Sequence, residues 1–142
     1  MPLRRIRKAR PSNQPDESAK PKCVVLVDDD SLVRNALTRL LRSAGFIVHA
    51  FAQSSEVLSS RLPERDACLI LDIYMPEMNG VDLWRQLRAS GVKLPTILIT
   101  GRKDAAAIRA GQEVDAVSIL YKPIDESALF ESIERALTGA RD

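Results

Sequence analysis

The sequence predicts one α/β domain, built as a doubly wound parallel sheet of five strands flanked by five helices. The chain has 142 residues, which suits a single buried core. Short runs that are apolar throughout alternate with stretches in which apolar residues recur at the spacing of one helix face. Strands without alternating polar residues are typical of a parallel sheet that helices cover on both faces.

The first strand and helix show this pattern clearly. Residues Cys23–Val27 form a continuous apolar run, which predicts a buried strand. After three aspartates, apolar residues recur at helical spacing from position 32 to position 41, and Gly45 marks the end of the predicted helix. Asp30 or Ser31 stands where a helix cap is expected, because both side chains accept hydrogen bonds from the first free backbone N–H groups.

The later parts of the chain repeat the same order. Further apolar strands are predicted at residues 46–51, 67–71, 96–99 and 117–121. Amphipathic helices are predicted after them, at residues 54–62, 81–90, 104–111 and 126–137. Pro63 closes the second of the five helices, and Asp125 is the expected cap of the last one.

Composition excludes several classes of protein. Apolar residues make up 45% and charged residues 28%, without a run of eighteen apolar residues, which excludes a disordered body and a membrane span. Three Phe, two Tyr and one Trp are too few for a base-stacking platform. Cys23 and Cys68, with one histidine, indicate neither a disulfide framework nor a zinc site. We interpret the cysteines as reduced core residues and expect a cytoplasmic protein.

The N-terminal segment differs from the rest of the chain. Residues 1–22 contain seven basic and two acidic residues and four of the eight prolines. This composition predicts a flexible basic arm, followed by a domain at residues 23–138 and a short tail at 139–142. The basic stretch is followed by Pro11 and polar residues, so it is not a secretory signal. The alternative is an electrostatic contact with nucleic acid, lipid headgroups or an acidic partner.

Polar side chains follow four of the five predicted strands. Because the carboxyl ends of parallel strands meet at one edge of a sheet, ligand sites form there, and we expect these side chains to lie close together. They are Asp28, Asp29 and Asp30 after the first strand, Asp72 after the third, Thr100 after the fourth and Lys122 after the fifth.

The carboxylates at this edge require a compensating charge. Two of them about 5 Å apart repel by about 3 kcal/mol at an effective dielectric constant near 20. Either one carboxylate holds a proton or a cation lies among them, and an all-oxygen ligand set favours Mg²⁺ over zinc. Asp28 and Asp29 form a pair suited to holding the metal, whereas Asp72 stands alone at its strand end. Asp72 is therefore the candidate nucleophile toward a phosphoryl group, with Lys122 offsetting charge and the Thr100 hydroxyl donating to a phosphoryl oxygen.

Four segments in this order and spacing resemble the receiver domain of two-component response regulators, over residues 23–138. They are VVLVDDDS at 24–31, LDIYMPEMNG at 71–80, ILITG at 97–101 and YKP at 121–123. The resemblance implies a flavodoxin-like receiver fold in which Asp72 is the phospho-acceptor. It also implies that Asp28, Asp29, Asp72 and the backbone carbonyl of Tyr74 bind Mg²⁺, that Thr100 is the switch hydroxyl and that Lys122 contacts the phosphoryl group.

The resemblance further implies partners. The phosphoryl group would come from the phosphohistidine of a histidine kinase or a histidine phosphotransfer protein. Phosphorylation would then bias the face of the fourth helix, fifth strand and fifth helix toward a homodimer or an output protein. On this interpretation the chain is a signalling phospho-acceptor that catalyses its own phosphorylation and dephosphorylation, and it is not otherwise an enzyme. Too few residues follow Leu137 for a DNA-binding domain within this chain.

Several positions depart from the family pattern. Ile119 stands where the family commonly has Tyr or Phe, whose ring turns inward with the threonine, and Asp115 stands where it often has Gly. Tyr74 and Arg102 are both large at two variable positions that flank the site. We expect them to hinder the attacking water and slow hydrolysis of the acyl phosphate. His49 is expected on the second strand, away from the site.

Three other functions are compatible with parts of the pattern. An aspartate-nucleophile phosphohydrolase would use Asp28 as nucleophile and Asp30 as acid and base, but it would need further acidic ligands after a late strand. A receiver-like binding module that is not phosphorylated usually lacks the acidic pair, the acceptor or the lysine. The chain is alternatively the receiver part of a longer transcription factor or hybrid kinase.

Overall fold

A computed structural model describes residues 21–139 of the chain. The predicted basic arm lies outside these residues, apart from Pro21 and Lys22, and so does most of the predicted tail. Within the described residues the strands are β1 Cys23–Val27, β2 Ile47–Phe51, β3 Ala67–Asp72, β4 Thr96–Thr100 and β5 Ser118–Tyr121. The helices are α1 Ser31–Ser43, α2 Ser54–Leu58, α3 Gly80–Ala89, α4 Ala105–Val114 and α5 Glu126–Thr138.

The strands of residues 21–139 form one parallel sheet of five strands in the order β2-β1-β3-β4-β5. The chain moves outward from β1 to β2, then crosses to β3 on the other side of β1 and continues in that direction. This reversal places the switch point between β1 and β3, where the ends of two strands leave a crevice. The predicted fold class, a doubly wound sheet of five strands with five helices, is confirmed for the described part of the chain.

Helices cover both faces of the sheet. Alternate side chains of the central strands, such as Val25 and Leu69, point to a core shared with α2, α3 and α4. Their neighbours, such as Leu26 and Ile70, point to a second core shared with α1 and α5. Each fully buried leucine or isoleucine contributes roughly 1.5–3 kcal/mol relative to exposure, so the strands must be apolar on both faces.

Helix caps account for most of the helix starts. Asp30 caps α1 by accepting from the backbone N–H of Leu32 at 3.0 Å, which decides between the two predicted caps. Asp125 caps α5 by accepting from the N–H of Ala128 at 2.9 Å, as predicted. These bonds satisfy backbone donors that no helical carbonyl reaches.

Two helices end more than one residue away from the predicted position. The second helix ends at Leu58 instead of position 62, because the hydroxyls of Ser59 and Ser60 bond to the carbonyl oxygen of Glu56 and compete with the helical pattern. The fourth helix continues to Val114 instead of ending near position 111. Its end is Asp115, which adopts the left-handed conformation with φ of 55° that glycine or asparagine most often takes at a helix end.

No helix within residues 21–139 combines the length and the apolar character that a membrane crossing requires.

Candidate functional site

The predicted polar residues converge at the carboxyl-terminal edge of the sheet. Asp28 directly follows β1, and Asp72 is the last residue of its neighbour β3. Thr100 ends β4 and pairs in register with Tyr121, so Lys122 follows β5 at the same edge. The sheet therefore brings together side chains that lie up to 94 positions apart in the sequence.

Lys122 joins two of the aspartates. Its ammonium nitrogen lies 3.1 Å from Oδ2 of Asp72 and 3.1 Å from Oδ2 of Asp28. It also donates a hydrogen bond to Oδ1 of Asp28 at 3.3 Å. The side chain of Lys122 is 19% exposed, whereas those of Asp28 and Asp72 are 0% and 5% exposed. One cation thus serves two nearly buried carboxylates, which leaves the group with a net negative charge.

Asp28 is held in place by hydrogen bonds from two neighbouring residues. Its Oδ1 accepts from the N–H of Asp30 at 3.0 Å, and its carbonyl oxygen accepts from the guanidinium of Arg34 at 2.8 Å. Although Oδ2 lies near Lys122, no group among residues 21–139 makes a well-directed hydrogen bond to it. A buried carboxylate oxygen without such a partner is costly, and a bound cation would remove the cost.

Three carboxylates are close enough to bind one metal ion. Asp28, Asp29 and Asp72 each offer an oxygen, and these oxygens lie within 4.8 Å of one another. Asp28 and Asp72 are buried, while Asp29 is exposed and so faces arriving ligands. Hard oxygen donors of this kind, together with the open side at Asp29, fit Mg²⁺ with retained water.

The pKa values of the group reflect its burial and its excess negative charge. Burial raises the pKa of the Asp72 carboxyl from 3.8 to about 7, with further increases from a hydrogen bond with Asp28 and from its charge, while Lys122 opposes them. Burial acts to lower the pKa of Lys122, but hydrogen bonds to Asp28 and Asp72 and their charges outweigh it and raise this pKa. Near neutral pH, and without a further cation, Asp72 is partly protonated, so a bound cation would favour its nucleophilic, ionised form.

Tyr74 and Thr100 lie beside this group. The backbone N–H of Tyr74 donates to Oδ1 of Asp72 at 3.2 Å and so orients that carboxylate. The role of the Tyr74 carbonyl as a metal ligand stays a prediction. Thr100 is fully buried, and its Oγ1 accepts from the N–H of Arg102 at 3.0 Å. Because the oxygen is the acceptor in this bond, the hydroxyl proton of Thr100 is available for another acceptor.

Sequence reasoning missed the role of Gly80. Its N–H donates to the carbonyl oxygen of Ile73 at 2.8 Å. A Cβ at this position would lie 2.5 Å from the backbone oxygen of Asp72, closer than real Cβ contacts allow. Because glycine has no Cβ, the backbone at the start of α3 can pass close to the backbone oxygen of Asp72. Its place in the segment at 71–80, directly after Asn79, was the available signal, because Asn-Gly pairs mark tight turns.

Sequence reasoning also missed a set of contacts between the loops after β3 and β4. The hydroxyl of Tyr74 lies 3.1 Å from both carboxylate oxygens of Asp104, and the guanidinium of Arg102 lies 4.2 Å from the centre of the Tyr74 ring. The next residue, Lys103, lies with its ammonium 5.2 Å from the ring centre of Tyr121. The two positions that we predicted to shield the acyl phosphate are thus in contact with each other.

Other predicted positions lie where the sequence placed them. His49 is an exposed residue of β2, the edge strand, with β1 between it and β3. Ile119 lies on β5 and contacts α4, since a Cβ on Gly111 would lie 2.5 Å from its Cδ1. Asp30, which the alternative of a phosphohydrolase requires as acid and base, is engaged as the cap of α1.

Comparison with known proteins identifies relatives of this chain. The sequence model described as "Response regulator receiver domain" matches residues 24–134. The response regulator protein TodT of Pseudomonas putida strain F1 is 39% identical over 124 residues, which cover 84% of this chain and 53% of TodT. The transcriptional regulatory protein FixJ of Rhizobium meliloti strain 1021 is 36% identical over 114 residues, which cover 80% of this chain and 55% of FixJ. The chain thus spans about half the length of these curated relatives.

Solved structures agree with the sequence comparison. A crystal structure of FixJ-N superposes with a TM-score of 0.75 at 33% identity, covering 84% of this chain and 96% of that one. A structure of the response regulator StyR superposes with a TM-score of 0.72 at 41% identity, covering 84% of this chain and 60% of that one.

Proposed function

This chain belongs to the response regulator receiver family, and from that premise we propose that it is a phosphorylation switch in which Asp72 accepts a phosphoryl group from a phosphohistidine. The observation that supports this proposal best is the arrangement of Asp72 itself. Asp72 lies at the switch point of the sheet, 3.1 Å from the ammonium of Lys122 and beside a second buried carboxylate. On this proposal the chain acts in signalling and catalyses only its own phosphorylation and dephosphorylation.

The reaction transfers one phosphoryl group between two protein side chains. A carboxylate oxygen of Asp72 attacks phosphorus, the P–N bond of the donor phosphohistidine breaks, and its electron pair returns to the imidazole nitrogen. Lys122 offsets charge on the transferring oxygens, and the N–H of Tyr74 keeps the carboxylate oriented for attack. The Thr100 hydroxyl then donates a hydrogen bond to a phosphoryl oxygen, and the threonine side chain moves toward the phosphorylated Asp72.

Mg²⁺ is the cofactor that we propose for this site. Asp28, Asp29 and Asp72 would hold it, together with the Tyr74 carbonyl that the family resemblance implies. When bound, the ion supplies positive charge that stabilises the transferring phosphoryl group. The unsatisfied Oδ2 of buried Asp28 and the proximity of the three carboxylates support this assignment.

The partners follow from the same chemistry. The donor is a histidine kinase or a histidine phosphotransfer protein, and the output is a phosphorylation-dependent homodimer or output protein that binds the face of α4, β5 and α5. TodT is named a response regulator and FixJ a transcriptional regulator, and the chain covers only about half of each. We therefore keep, as an alternative, that this receiver acts within a longer regulator. We also propose a cytoplasmic location.

Labelling with a small phosphodonor tests the proposed function. The full chain is incubated with Mg²⁺ and acetyl phosphate, and intact mass measures the addition of one phosphoryl group. The Asp72→Asn variant should gain none. Asp66→Asn is the matched control, because Asp66 directly precedes β3, which Asp72 ends, and asparagine tolerates the positive φ of 57° found there. Size-exclusion chromatography with light scattering then reports any change in oligomeric state.

The outcomes separate the competing functions. Labelling of the wild type and of Asp66→Asn, but not of Asp72→Asn, supports the phospho-acceptor. Failure of the wild type to label indicates the binding module that is not phosphorylated. Turnover of a phosphate ester that persists in Asp72→Asn and disappears in Asp28→Asn would indicate the phosphohydrolase instead.

A further inference from the structure

A bridge of three residues joins the loop after β3 to the start of α4. We define the Tyr74 bridge as Tyr74, Arg102 and Asp104. The Tyr74 hydroxyl donates to the carboxylate of Asp104 at 3.1 Å, and Arg102 lies over the face of the same ring, 4.2 Å from its centre. Cation–π and charge-assisted contacts of this kind are directional, so the ring is held from its face and from its edge.

The Tyr74 bridge is tied to the phospho-acceptor at one end. The backbone N–H of Tyr74 donates to Oδ1 of Asp72 at 3.2 Å, and the N–H of Arg102 donates to Oγ1 of Thr100 at 3.0 Å. A movement of the Thr100 side chain toward a phosphoryl group on Asp72 would therefore strain or break its bond to the backbone of Arg102. Since the Arg102 side chain lies on the Tyr74 ring, the movement reaches the bridge directly.

The bridge is tied to helix α4 at its other end. Asp104 caps this helix, and its Oδ1 accepts from the N–H of Ala107 at 2.9 Å. The same carboxylate thus bonds both the Tyr74 hydroxyl and the first turn of α4. The pKa of Asp104 is lowered, with the bond from Ala107 as the largest cause and Tyr74 among the others, in keeping with a carboxylate that both groups stabilise.

The usual aromatic coupling is missing from this chain. Ile119 stands at the position of the ring, and it lies against Gly111, in the second half of α4. An aliphatic side chain at this position has no ring that could turn inward with Thr100. Tyr74 is an aromatic residue bonded both to the acceptor, through its backbone N–H, and to the cap of α4, through its hydroxyl.

We propose that the Tyr74–Asp104 hydrogen bond holds the first turn of α4 in the position that it has while Asp72 is unphosphorylated. The bond breaks when Asp72 is phosphorylated. This inference rests on the proposed function. A phosphoryl group adds about −1.5 to −2 charge, which attracts Arg102 away from the ring and repels the carboxylate of Asp104. Tyr74 and Asp104 are on this account positioning residues, and they couple the acceptor to α4 without taking part in the transfer.

Coupling is reciprocal, which makes the proposal measurable. If phosphorylation opens the bond, then removal of the bond favours the phosphorylated conformation by the same factor. Loss of one exposed hydrogen bond shifts such an equilibrium by a few-fold, so Tyr74→Phe should bind beryllofluoride, a phosphoryl mimic, a few-fold more tightly than the wild type. Phenylalanine keeps the ring under Arg102, and the substitution therefore removes only the hydroxyl.

The experiment titrates the full chain with beryllofluoride in the presence of Mg²⁺ and follows the backbone amide resonance of Ala107 by NMR. Tyr121→Phe is the matched control, because this ring also carries a cation, Lys103, while its hydroxyl makes no hydrogen bond to residues 21–139. Asp104→Ser is the second variant. Serine still caps α4 but is too short to hold Tyr74 as well.

We expect tighter binding by Tyr74→Phe and unchanged binding by Tyr121→Phe. The gains from Tyr74→Phe and Asp104→Ser should be less than additive in the double variant, because both substitutions remove the same hydrogen bond. The Ala107 resonance of unliganded Tyr74→Phe should lie closer to its bound position than that of the wild type. Equal affinities for wild type and Tyr74→Phe, or additive effects in the double variant, would overturn this inference alone. A wild type that fails to bind beryllofluoride would overturn the proposed function, and this inference with it.

Discussion

Replacement of Lys122 by methionine tests whether one ammonium stabilises two buried carboxylates. At an effective dielectric constant of 20, two unit charges at 3.1 Å attract by about 5 kcal/mol, and Lys122 makes such a contact with both Asp28 and Asp72. Desolvation of the three charges cancels much of this attraction. Loss of one partner from a buried ion pair typically costs 3–5 kcal/mol, and water reaches the 19% exposed lysine. We therefore expect Lys122→Met to lower the free energy of unfolding by about 3 kcal/mol near pH 8.

The loss should become smaller as the pH falls. The folded-state pKa of Asp72 is raised from 3.8 to about 7, so its protonated form stabilises the folded protein at low pH and this stabilisation is lost as the pH rises through about 7. Removal of Lys122 raises this pKa further, because the lysine acts to lower it. Near pH 5.5 Asp72 is then protonated, one of the two carboxylate charges is gone, and the variant loses less stability.

Urea unfolding followed by circular dichroism measures these effects, with EDTA present to exclude divalent cations. Lys93→Met, at an exposed loop position before β4, is the matched control and should change the free energy of unfolding by less than about 0.5 kcal/mol. Addition of Asp72→Asn to Lys122→Met should restore part of the lost stability, since it removes one of the two uncompensated charges. A variant that is as stable as the wild type near pH 8, or one that loses more stability at lower pH, would refute this reasoning.

Two further predictions concern the surroundings of the acceptor. Gly80→Ala should lower the free energy of unfolding by about 2 kcal/mol, because its Cβ would meet the backbone oxygen of Asp72 at 2.5 Å. Gly101→Ala, whose Cβ would meet nothing within 4 Å, is the control in the same urea experiment, and equal losses would contradict the steric argument. Tyr74→Ala and Arg102→Ala should each shorten the lifetime of the acyl phosphate severalfold, because each removes half of the stacked pair beside the acceptor. The lifetime is measured as the decay of phosphoprotein after donor removal, and a longer lifetime in either variant would reject the shielding role.

Local patterns in the sequence were enough to predict the class of fold. Apolar runs such as that of β1 require burial on both faces, and this requirement alone implies a covered parallel sheet. The cap of α5 at Asp125 was predictable for a similar reason, because a side chain that bonds to the N–H three residues later depends only on its neighbours. The end of α2 was not predictable in this way. The hydroxyls of Ser59 and Ser60 compete with the helical hydrogen bonds, and the sequence pattern does not show which of the two sets of weak bonds is favoured.

The composition of the candidate site was likewise predictable, because parallel strands place their carboxyl ends at one edge. The sequence alone determined that Asp28, Asp72, Thr100 and Lys122 would meet there. Only the tertiary structure decided which of the carboxylates are buried and which form ion pairs. Asp28 is buried and paired with Lys122, whereas its neighbour Asp29 is exposed. Burial and pairing depend on the distance between side chains from different strands, which no local pattern contains.

Contacts between loops were beyond prediction for the same physical reason. Tyr74 and Asp104 lie 30 positions apart on loops that follow two strands. Their hydrogen bond depends on the register of β3 against β4 and on the path of each loop, which are set by the packed sheet and its helices. The period of the hydrophobic residues and the helix caps act over a few residues, so the sequence by itself determined the helices and strands of this protein. The assembled fold decided which polar groups form ion pairs and hydrogen bonds with each other.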